Sequence, residues 1–495
     1  MMKHLSSLLL VIILIASSAL LSYRGLTYIR GMLEPRIFRP FQRFKPFELG
    51  GRNATLVLLE SGDVAWEDYS ERLAREYYYN TGFLAWYVPA ELKAYVNIYK
   101  ITGERKWLDR AVIRADYLVN VSDVNGDGVP SWGNYNETWG GCPEYKWGEA
   151  TVWDGVICTA LMNLVKLIFT DPVLSENSTL LRKAETYLNL VTKVIDRYHQ
   201  CWIQTGEGEG HYWVDPEGDT SPIFNQFLAL GIAEILVYEV TGDEKYLEKP
   251  LAMARFMKRN LRLVEESDAY FWHYMVGGRL EDLGHGSIDI EFAVLAYKHR
   301  LAFNDTDMRR FAHGFTRLIW RGESGGYPYL NTYIDGSEVA TKPDQRPTSW
   351  VRLAEFNSLV WLYCCITFND RVERVGDVSD RDALLGASEL FLYTPEPRRL
   401  AMDAIEEAEN YLGKHPTSSI FNFRSVAENH LNSAVEAYNE GDYEEALYQA
   451  RMCSEVSRGL TDIVRAGYLL ITVNVFIWLL IVIIVILTRH GARVT

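Results

Sequence analysis

From about residue 55 to 395 the sequence repeats one pattern, in which a turn-rich, aromatic and acidic segment precedes two amphipathic helices joined by a short turn. We predict five such pairs, over residues 82–120, 150–198, 221–261, 285–322 and 348–394. Their apolar residues recur at spacings of three and four, which is typical of helices with one buried face. Because each pair can bury that face only against its neighbours, the repeat predicts an all-α toroid or solenoid of helical hairpins.

The turn inside two of these pairs has a shared sequence signature. ITGERKWLDR (Ile101–Arg110) matches VTGDEKYLEK (Val240–Lys249). The glycine is predicted to end the first helix in a left-handed conformation. The acidic residue after it is predicted to begin the next helix, where negative charge suits the helix dipole. The aromatic residue and the leucine that follow are then expected to pack back on the first helix.

The extended second signature, YEVTGDEKYL, resembles the (α/α) toroids of the six-hairpin glycosidase-like superfamily, which contains glycoside hydrolases, polysaccharide lyases and D-glucuronyl C5-epimerases. Together with NQFLALG (Asn225–Gly231), it is most similar to the epimerase and lyase members. The resemblance implies an (α/α) toroid of the catalytic type over residues 55–396. Five hairpins leave a six-hairpin ring one pair short, unless residues 400–463 supply the sixth.

Two apolar stretches lie near the ends of the chain. Leu5–Leu21 is predicted to be a cleaved signal peptide or an uncleaved signal anchor, within residues 1–23. Tyr468–Thr488 is as long and apolar as a bilayer-spanning helix requires. The basic residues after it place the tail, residues 489–495, in the cytoplasm. The sequence thus predicts a transmembrane helix over residues 466–488 in a lipid membrane, with the bulk of the chain extracellular.

The segments beside these spans differ in composition from the hairpin region. Residues 24–54 are basic and interrupted by proline, which indicates a juxtamembrane linker. Pro395 and Pro397 separate the hairpin region from residues 397–465, which read as amphipathic helices around an NEGD turn. AYNEGDYEEALYQA resembles a tetratricopeptide-type hairpin, but one copy cannot form a solenoid. We therefore predict a membrane-proximal helical stalk.

Surface and redox features also favour an exterior location. Five Asn-x-Ser/Thr sequons lie between the two spans, at Asn53, Asn120, Asn136, Asn177 and Asn304. Of the six cysteines, none forms a Cys-x-x-Cys metal pair, and Cys142 and Cys201 lie in turn-rich segments where a disulfide can form. The net charge of −15 argues against nucleic acid as a partner.

In a toroid of this kind, the loops that precede the inner helices meet at one rim. Five segments rich in tyrosine, tryptophan and acidic residues are predicted to meet there: residues 77–90, 145–155, 205–226, 270–289 and 323–350. Aromatic rings with a polar edge suit carbohydrate ligands, although the same rings can serve a large helical core.

The stretch GRLEDLGHGSIDIEF (Gly278–Phe292) concentrates carboxylates and a histidine within a few residues. We predict a helix that begins near Ser287, with His285 and its two flanking glycines at the rim. The catalytic candidates are His285, Asp282, Tyr274, His211, Tyr212, Asp289, Asp154 and Glu209. The substrate-binding candidates are Trp153, Trp213, Asn225, Gln226, Tyr270, Trp272, Glu281 and Arg346.

These residues fit more than one reaction. Glycoside hydrolysis requires two carboxylates roughly 5–10 Å apart, and several acidic candidates are available. Proton abstraction from a uronate requires a Tyr or His base and a cationic or amide group beside the substrate carboxylate. We expect C5-epimerisation or β-elimination on a surface polysaccharide, with glycoside hydrolysis as the alternative. A glycan-binding or cell-envelope structural protein without catalysis is the third interpretation.

A separate motif, DVNGDGV, resembles a calcium-binding loop. Its candidate ligands are Asp123, Asn125, Asp127 and the position of Val129. The glutamate at position 12 of such loops is absent, since Asn134 stands there. The motif predicts a structural Ca²⁺ or a turn stabilised by its own Asx side chains, and nothing in the sequence predicts an organic cofactor.

Overall fold

The computed structural model describes residues 48–49, 51–76, 81–134, 148–213, 222–324, 327–337, 347–414 and 423–457. These residues fall into two compact units. The toroid unit comprises the described residues within Lys45–Gly322 and Pro328–Pro395, and the second unit includes residues 396–414 and 423–457. Both predicted membrane spans, as well as Cys142, Asn136 and Arg346, lie outside the described residues.

The described part of the toroid unit contains eleven α-helices. They are α1 (Ala54–Glu76), α2 (Val88–Thr102), α3 (Arg105–Asn120), α4 (Thr151–Thr170), α5 (Ser178–Tyr198), α6 (Phe224–Thr241), α7 (Lys245–Asn260), α8 (Leu283–Lys298), α9 (Asp305–His313), α10 (Leu359–Val375) and α11 (Arg381–Leu392). A short 3-10 helix, Trp350–Glu355, lies between α9 and α10.

Six of these segments form a closed inner ring. Each packs on the next in the order α2, α4, α6, α8, Trp350–Glu355 and α11, and α11 packs back on α2. The predicted all-α toroid is therefore present. Each of the first five inner segments packs on the helix that follows it in the chain, and α11 packs on α1. The ring therefore holds six pairs rather than the five predicted.

The sixth pair comes from the N-terminal end of the unit. Helix α1, which contacts α2 and α11, completes it. The described part of residues 400–463 does not supply it, because residues 400–414 and 423–457 belong to the second unit. Helix α1 is not among the predicted pairs, because charged residues interrupt its apolar spacing from Glu60 onward (ESGDVAWEDYSERLARE).

The inner helices α4 and α6 are buried on nearly every side. Every residue from Phe224 to Val237 of α6 is buried. By length and composition alone, α4 and α6 are also apolar enough to cross a membrane, yet 78% of each is buried inside the protein. Their apolarity is accounted for by their place at the centre of the toroid.

The two Thr-Gly signatures adopt the predicted geometry. Gly103 and Gly242 both have a φ of 70°, and each donates its N–H to a tyrosine carbonyl four residues earlier at 2.7 Å. In both turns the threonine hydroxyl donates to the carbonyl of the preceding helical turn. The same hydroxyl oxygen accepts the N–H of the acidic residue that follows the glycine, so the cap is satisfied from both sides.

Short antiparallel strand pairs connect the helices, although strands are scarce in the sequence pattern. They are β1 (Glu48–Leu49) with β2 (Arg52–Asn53), β3 (Gly133–Asn134) with β4 (Gly148–Glu149), β5 (Trp202–Gly206) with β6 (Glu209–Tyr212), β7 (Arg262–Val264) with β8 (Ala269–Phe271), and β9 (Trp320–Ser324) with β10 (Tyr327–Leu330). The β5–β6 pair packs on α7, and the β7–β8 pair packs on α9.

The second unit is described through three helices: α12 (Pro397–Lys414), α13 (Phe423–Glu440) and α14 (residues 443–457). Ala401, Ala437 and Ala446 form their common core, and Tyr438 and Tyr443 pack against it. Alanines at the contact allow close helix packing. The turn between α13 and α14 contains the predicted NEGD sequence, with Gly441 at a φ of 83°.

The predicted sequons lie at the protein surface wherever the structure describes them. The sequon residues Asn53, Asn120, Asn177 and Asn304 are exposed. Cys201 is disulfide-bonded, whereas Cys158, Cys364, Cys365 and Cys453 are free and buried. Glycosylation and the identity of the partner of Cys201 stay predictions.

Candidate active site

A cavity of about 500 Å³ lies at the centre of the inner ring. All six inner segments or the residues just before them line it. The polar and aromatic lining residues are Trp86, Lys93, Thr159, Asp282, His285, Ser287, Glu291, Thr348, Ser349, Arg381 and Asp382. The apolar lining comes from small or branched residues, including Val156, Ala229, Ile232, Ile288 and Leu385.

The first turn of α8 brings Asp282 and His285 into this cavity. Asp282 is the N-cap, because its Oδ1 accepts the N–H groups of Gly284 and His285 at 2.9 and 3.0 Å. Its Oδ2 lies 2.6 Å from Nδ1 of His285. The helix begins at Leu283, four residues before the predicted start near Ser287, whose hydroxyl instead donates to the carbonyl of Leu283.

The charge on Asp282 is fixed by these contacts. Burial alone would raise the pKa of this carboxyl, but the hydrogen bonds and charge of His285 and the backbone N–H groups outweigh burial and lower it. With an ionised Asp282 as acceptor, Nδ1 of His285 carries a proton. Nε2 is then the ring nitrogen that remains for a ligand in the cavity.

Two further carboxyls lie behind this pair. Glu281 and Asp289 are fully buried and hydrogen-bonded to each other. Burial raises the pKa of Asp289 to about 7, against hydrogen bonds from Trp272 and Glu281, and burial together with the charge of Asp289 raises the pKa of Glu281 well above its usual range. Above about pH 7 such a pair still keeps one proton, which the two carboxyl groups share.

Neighbouring side chains hold this layer in place. The Nε1 of Trp272 donates to Oδ2 of Asp289 at 2.7 Å, and the backbone N–H of Asp282 donates to Oε1 of Glu281 at 2.8 Å. The ring of Tyr274 packs edge-on against His285, with centroids 5.1 Å apart. The arrangement fixes the orientation of the imidazole from two sides.

Oxygen and nitrogen atoms of Glu281, Asp282 and His285 all lie within 4.8 Å of one another, a spacing that a metal ion also requires. However, the Oδ2 of Asp282 and the Nδ1 of His285 are already bonded to each other at 2.6 Å. A cation would have to displace that hydrogen bond, so the arrangement fits a carboxylate–imidazole pair better.

Asp154 occupies a different buried position. Its two oxygens accept the N–H of Trp132 at 2.9 Å and the hydroxyl of Tyr198 at 2.8 Å. Burial raises the pKa of this carboxyl to about 7. From the first turn of α4, this side chain therefore links Trp132, in the segment after α3, to Tyr198 at the end of α5. It is not among the residues that line the cavity.

The predicted cluster around β6 lies outside the cavity lining. Glu209 pairs with Arg259, and the hydroxyl of Tyr212 donates to Glu234 at 2.6 Å. His211 is buried between Phe227 and Phe256. Trp213 follows β6, and its backbone N–H donates to the carbonyl of Cys201. These side chains hold the β5–β6 hairpin on α6 and α7.

Most substrate-binding candidates are also engaged in packing. Trp272 stacks on Trp350 at 6.2 Å and is buried, so its ring faces are not open to a ligand. Tyr270 donates its hydroxyl to Asp307 at 3.1 Å. Trp153, Asn225 and Gln226 are buried, and Gln226 hydrogen-bonds Tyr274.

Several residues that line the cavity are not among the predicted site residues. Lys93 and Glu291 lie inside α2 and α8, and Arg381 and Asp382 begin α11. The guanidinium of Arg381 lies 3.8 Å from the ring centroid of Tyr87. The SDRD sequence at residues 379–382 is an N-cap pattern, and it marks the start of the last inner helix in the sequence.

The predicted calcium loop folds as a turn with its own hydrogen bonds. Nδ2 of Asn125 donates to Oδ2 of Asp127 at 2.8 Å, and Oδ1 of Asp127 accepts the N–H of Val129 at 2.8 Å. Oδ1 of Asp123 accepts the N–H of Gly128 at 3.3 Å. Binding of Ca²⁺ by this loop stays a prediction.

No family model and no curated protein matches the chain. A solved structure of the GH76A α-1,6-mannanase from Salegentibacter sp. HEL1_6 is similar to it, with 13% identity and a TM-score of 0.43 over 68% of this chain and 98% of the mannanase. An inactive variant of that mannanase in complex with α-1,6-mannotriose has 12% identity and a TM-score of 0.42, over 69% of this chain and 100% of the other. The predicted similarity to epimerase and lyase domains stays a prediction.

Proposed function

We propose that this protein is a carbohydrate-active enzyme that hydrolyses a glycosidic bond of a glycan bound in the central cavity. The observation that carries this proposal is the position of three groups at one rim of the toroid: the Asp282–His285 pair at the start of α8 and the Asp382 carboxylate at the start of α11. Both helix starts line the same cavity, so a sugar there contacts an acid–base pair and a separate carboxylate.

In the proposed reaction, His285 is the proton donor. Its imidazolium, held by ionised Asp282, gives the Nε2 proton to the glycosidic oxygen as the bond from that oxygen to the anomeric carbon breaks. A water molecule attacks the anomeric carbon and loses a proton to Asp382. The products are a new reducing end and a free alcohol, and a proton from solvent restores His285 while Asp382 releases its own.

The contacts of the uronate candidates favour hydrolysis over epimerisation or β-elimination. Burial raises the pKa of Tyr274, although hydrogen bonds from Gln226 and Arg279 oppose this, so its phenol is a poor base near neutral pH. Asn225 and Gln226 are not among the cavity-lining residues that could hold a uronate carboxylate. Lys93, which does line the cavity, already pairs with Glu291 at 2.7 Å.

We further propose that the toroid faces the cell exterior and is held at a membrane by the apolar segment at residues 466–488. The disulfide at Cys201 supports an oxidising compartment. The exposed sequons support the same location. The substrate is then a glycan at the cell surface.

The test uses the full-length chain in detergent micelles with a panel of neutral and acidic glycans that includes α-1,6-mannan. We expect new reducing ends with the wild type, and a loss of at least about 100-fold in rate with His285→Gln or Asp382→Asn. Asp109→Asn, at an exposed residue of α3 that pairs with Arg105, is the matched control and should keep the wild-type rate. Glycan binding without cleavage by wild type and variants alike would favour the non-catalytic binder.

A further inference from the structure

The central cavity is exposed at its rim and buried at its floor. At the rim, the side chains of Asp282, His285 and Asp382 are 30%, 37% and 40% exposed. About two turns deeper along the inner helices, the side chains of Lys93 and Glu291 are 10% and 6% exposed. A ligand therefore enters past the proposed catalytic groups and meets the floor afterwards.

A chain of ion pairs crosses the floor on one side. Nζ of Lys93 donates to both carboxylate oxygens of Glu291, at 2.9 and 2.7 Å. Arg352 lies 3.1 Å from Glu291 and 2.7 Å from Glu389. These four side chains join α2, α8, Trp350–Glu355 and α11, so they close the ring across four of its six segments.

Close helix packing closes the wall of the cavity on the other side, at the level of the lining residues Val156 and Ala229. A Cβ atom placed on Gly155 of α4 would lie 2.5 Å from the backbone of Ala229 of α6, so these helices leave no gap between them. Below the floor, Nδ2 of Asn97 donates to Oγ of Ser388 at 3.0 Å and ties α2 to α11. Among the described residues, the cavity lining stops near the midpoint of each inner helix.

We infer that the cavity takes the terminal sugar of a glycan, so that the enzyme acts from a chain end and not within the chain. This inference rests on the proposed function. A polysaccharide cannot continue through a floor closed by ion pairs and helix contacts, so the chain can leave only past the rim. The scissile bond at Asp282, His285 and Asp382 then lies one or a few sugars from the end.

The floor also indicates the chemistry of that terminal sugar. At the floor Lys93 already pairs with Glu291, and outside the cavity lining Arg352 pairs with both Glu291 and Glu389. Sugar hydroxyl groups can form hydrogen bonds with these side chains without adding a charge. A sugar carboxylate, in contrast, would compete with Glu291 for Lys93. The terminal sugar is therefore a neutral one.

The test follows products over time with the full-length chain and linear neutral oligosaccharides, in three forms: free, blocked at the non-reducing end by methylation, and reduced to the alditol at the other end. We expect one product of constant size from the first time point, and at least about 10-fold slower cleavage of one blocked form. Saturation-transfer NMR on the same mixtures reports which sugar lies deepest, and we expect the strongest transfer to a terminal sugar.

Products of mixed size from the start, or equal cleavage of all three forms, would overturn the chain-end inference while leaving hydrolysis standing. If no oligosaccharide is cleaved, the proposed hydrolysis fails, and the NMR result alone decides. Transfer concentrated on one terminal sugar would then support chain-end recognition, and transfer that is uniform or absent would overturn it.

Discussion

Oδ2 of Asp282 lies 2.6 Å from Nδ1 of His285, while Oδ1 of the same carboxylate caps helix α8. One side chain thus fixes both the start of an inner helix and the orientation of the imidazole. Its two roles can be separated, because asparagine caps a helix about as well as aspartate but carries no charge.

Asp282→Asn should therefore lose activity without losing stability. We expect a fall of at least about 100-fold in kcat, because the imidazole loses its ionised partner. The unfolding free energy should change by less than about 1 kcal/mol, because the cap is kept. Hydrolysis rates and thermal unfolding measured on the same preparation check both parts.

The matched control for that variant is Asp442→Asn. Asp442 caps α14 by accepting the N–H of Glu445 at 3.0 Å, and it lies in the second unit. This control makes the same chemical change at another N-cap and should leave the rate unchanged. Equal rates for Asp282→Asn and the wild type would remove Asp282 from the mechanism.

The buried Glu281–Asp289 pair predicts a pH-dependent stability. The pKa of Asp289 is raised from about 3.9 in an unfolded chain to about 7. The folded state therefore binds more protons than the unfolded state between these values, and its contribution to stability is present below about pH 4 and lost as pH rises to about 7.

Asp289→Asn removes that contribution. Relative to the wild type, the variant should gain stability between pH 4 and 7, by at most about 1.4 kcal/mol per pH unit. Chemical denaturation at several pH values measures the difference. Asp109→Asn, at an exposed residue paired with Arg105, should follow the wild-type profile. A constant difference between Asp289→Asn and wild type across this range would contradict the raised pKa.

The floor ion pairs predict strong coupling between Lys93 and Glu291. Burial would raise the pKa of Glu291, but the charges of Arg352 and Lys93 outweigh it and keep this carboxyl ionised. Glu291→Gln should cost about 3 kcal/mol of stability, because it leaves Lys93 buried without its carboxylate. Adding Lys93→Met should recover part of that loss, and purely additive effects in the double-mutant cycle would argue against a coupled pair.

Close packing of α4 on α6 predicts that Gly155 tolerates no side chain. Gly155→Ala places a Cβ 2.5 Å from the backbone of Ala229 and should destabilise the protein by about 1–3 kcal/mol. Gly413→Ala is the control, since a Cβ there meets nothing within 4 Å and should be neutral or stabilising. Similar unfolding temperatures for the two variants would mean that α4 and α6 can separate at little cost.

Trp86 is the half-buried aromatic side chain in the cavity lining, unlike Trp272, which is buried against Trp350. We expect Trp86→Ala to weaken binding of the cleaved oligosaccharide about 10-fold, because the ring offers an apolar face to a sugar. Trp202→Ala, on strand β5, removes a ring that packs on Tyr212 and should leave affinity unchanged. Calorimetric titration distinguishes the two.

Much of the toroid was predictable from local signals. The Thr-Gly turns at Gly103 and Gly242 act through nearby backbone atoms, so their sequence determines their geometry directly. Helix α1 was missed because charged residues interrupt its apolar spacing. Its place in the ring comes from contacts with α11, more than 300 residues later in the chain.

The site was predictable only in part, for the same reason. His285 and Asp282 are three residues apart, so one helix turn brings them together. Asp382 lines the same cavity only because the ring closes. Lys93 and Glu291 also line it, but they lie inside helices whose sequence pattern is typical of a buried core. The acidic and aromatic cluster around His211 has the composition of a site, yet packing on α6 and α7 accounts for its contacts.

The most direct measurement of the central claim is proton NMR of the full-length chain incubated in D₂O with neutral glycans and polyuronides. The account predicts new reducing-end signals from a neutral glycan, with no deuterium at C5 and no unsaturated uronate. Deuterium at C5 of a uronate without chain cleavage, or unsaturated ends, would contradict it and restore epimerisation or β-elimination as the reaction of this cavity.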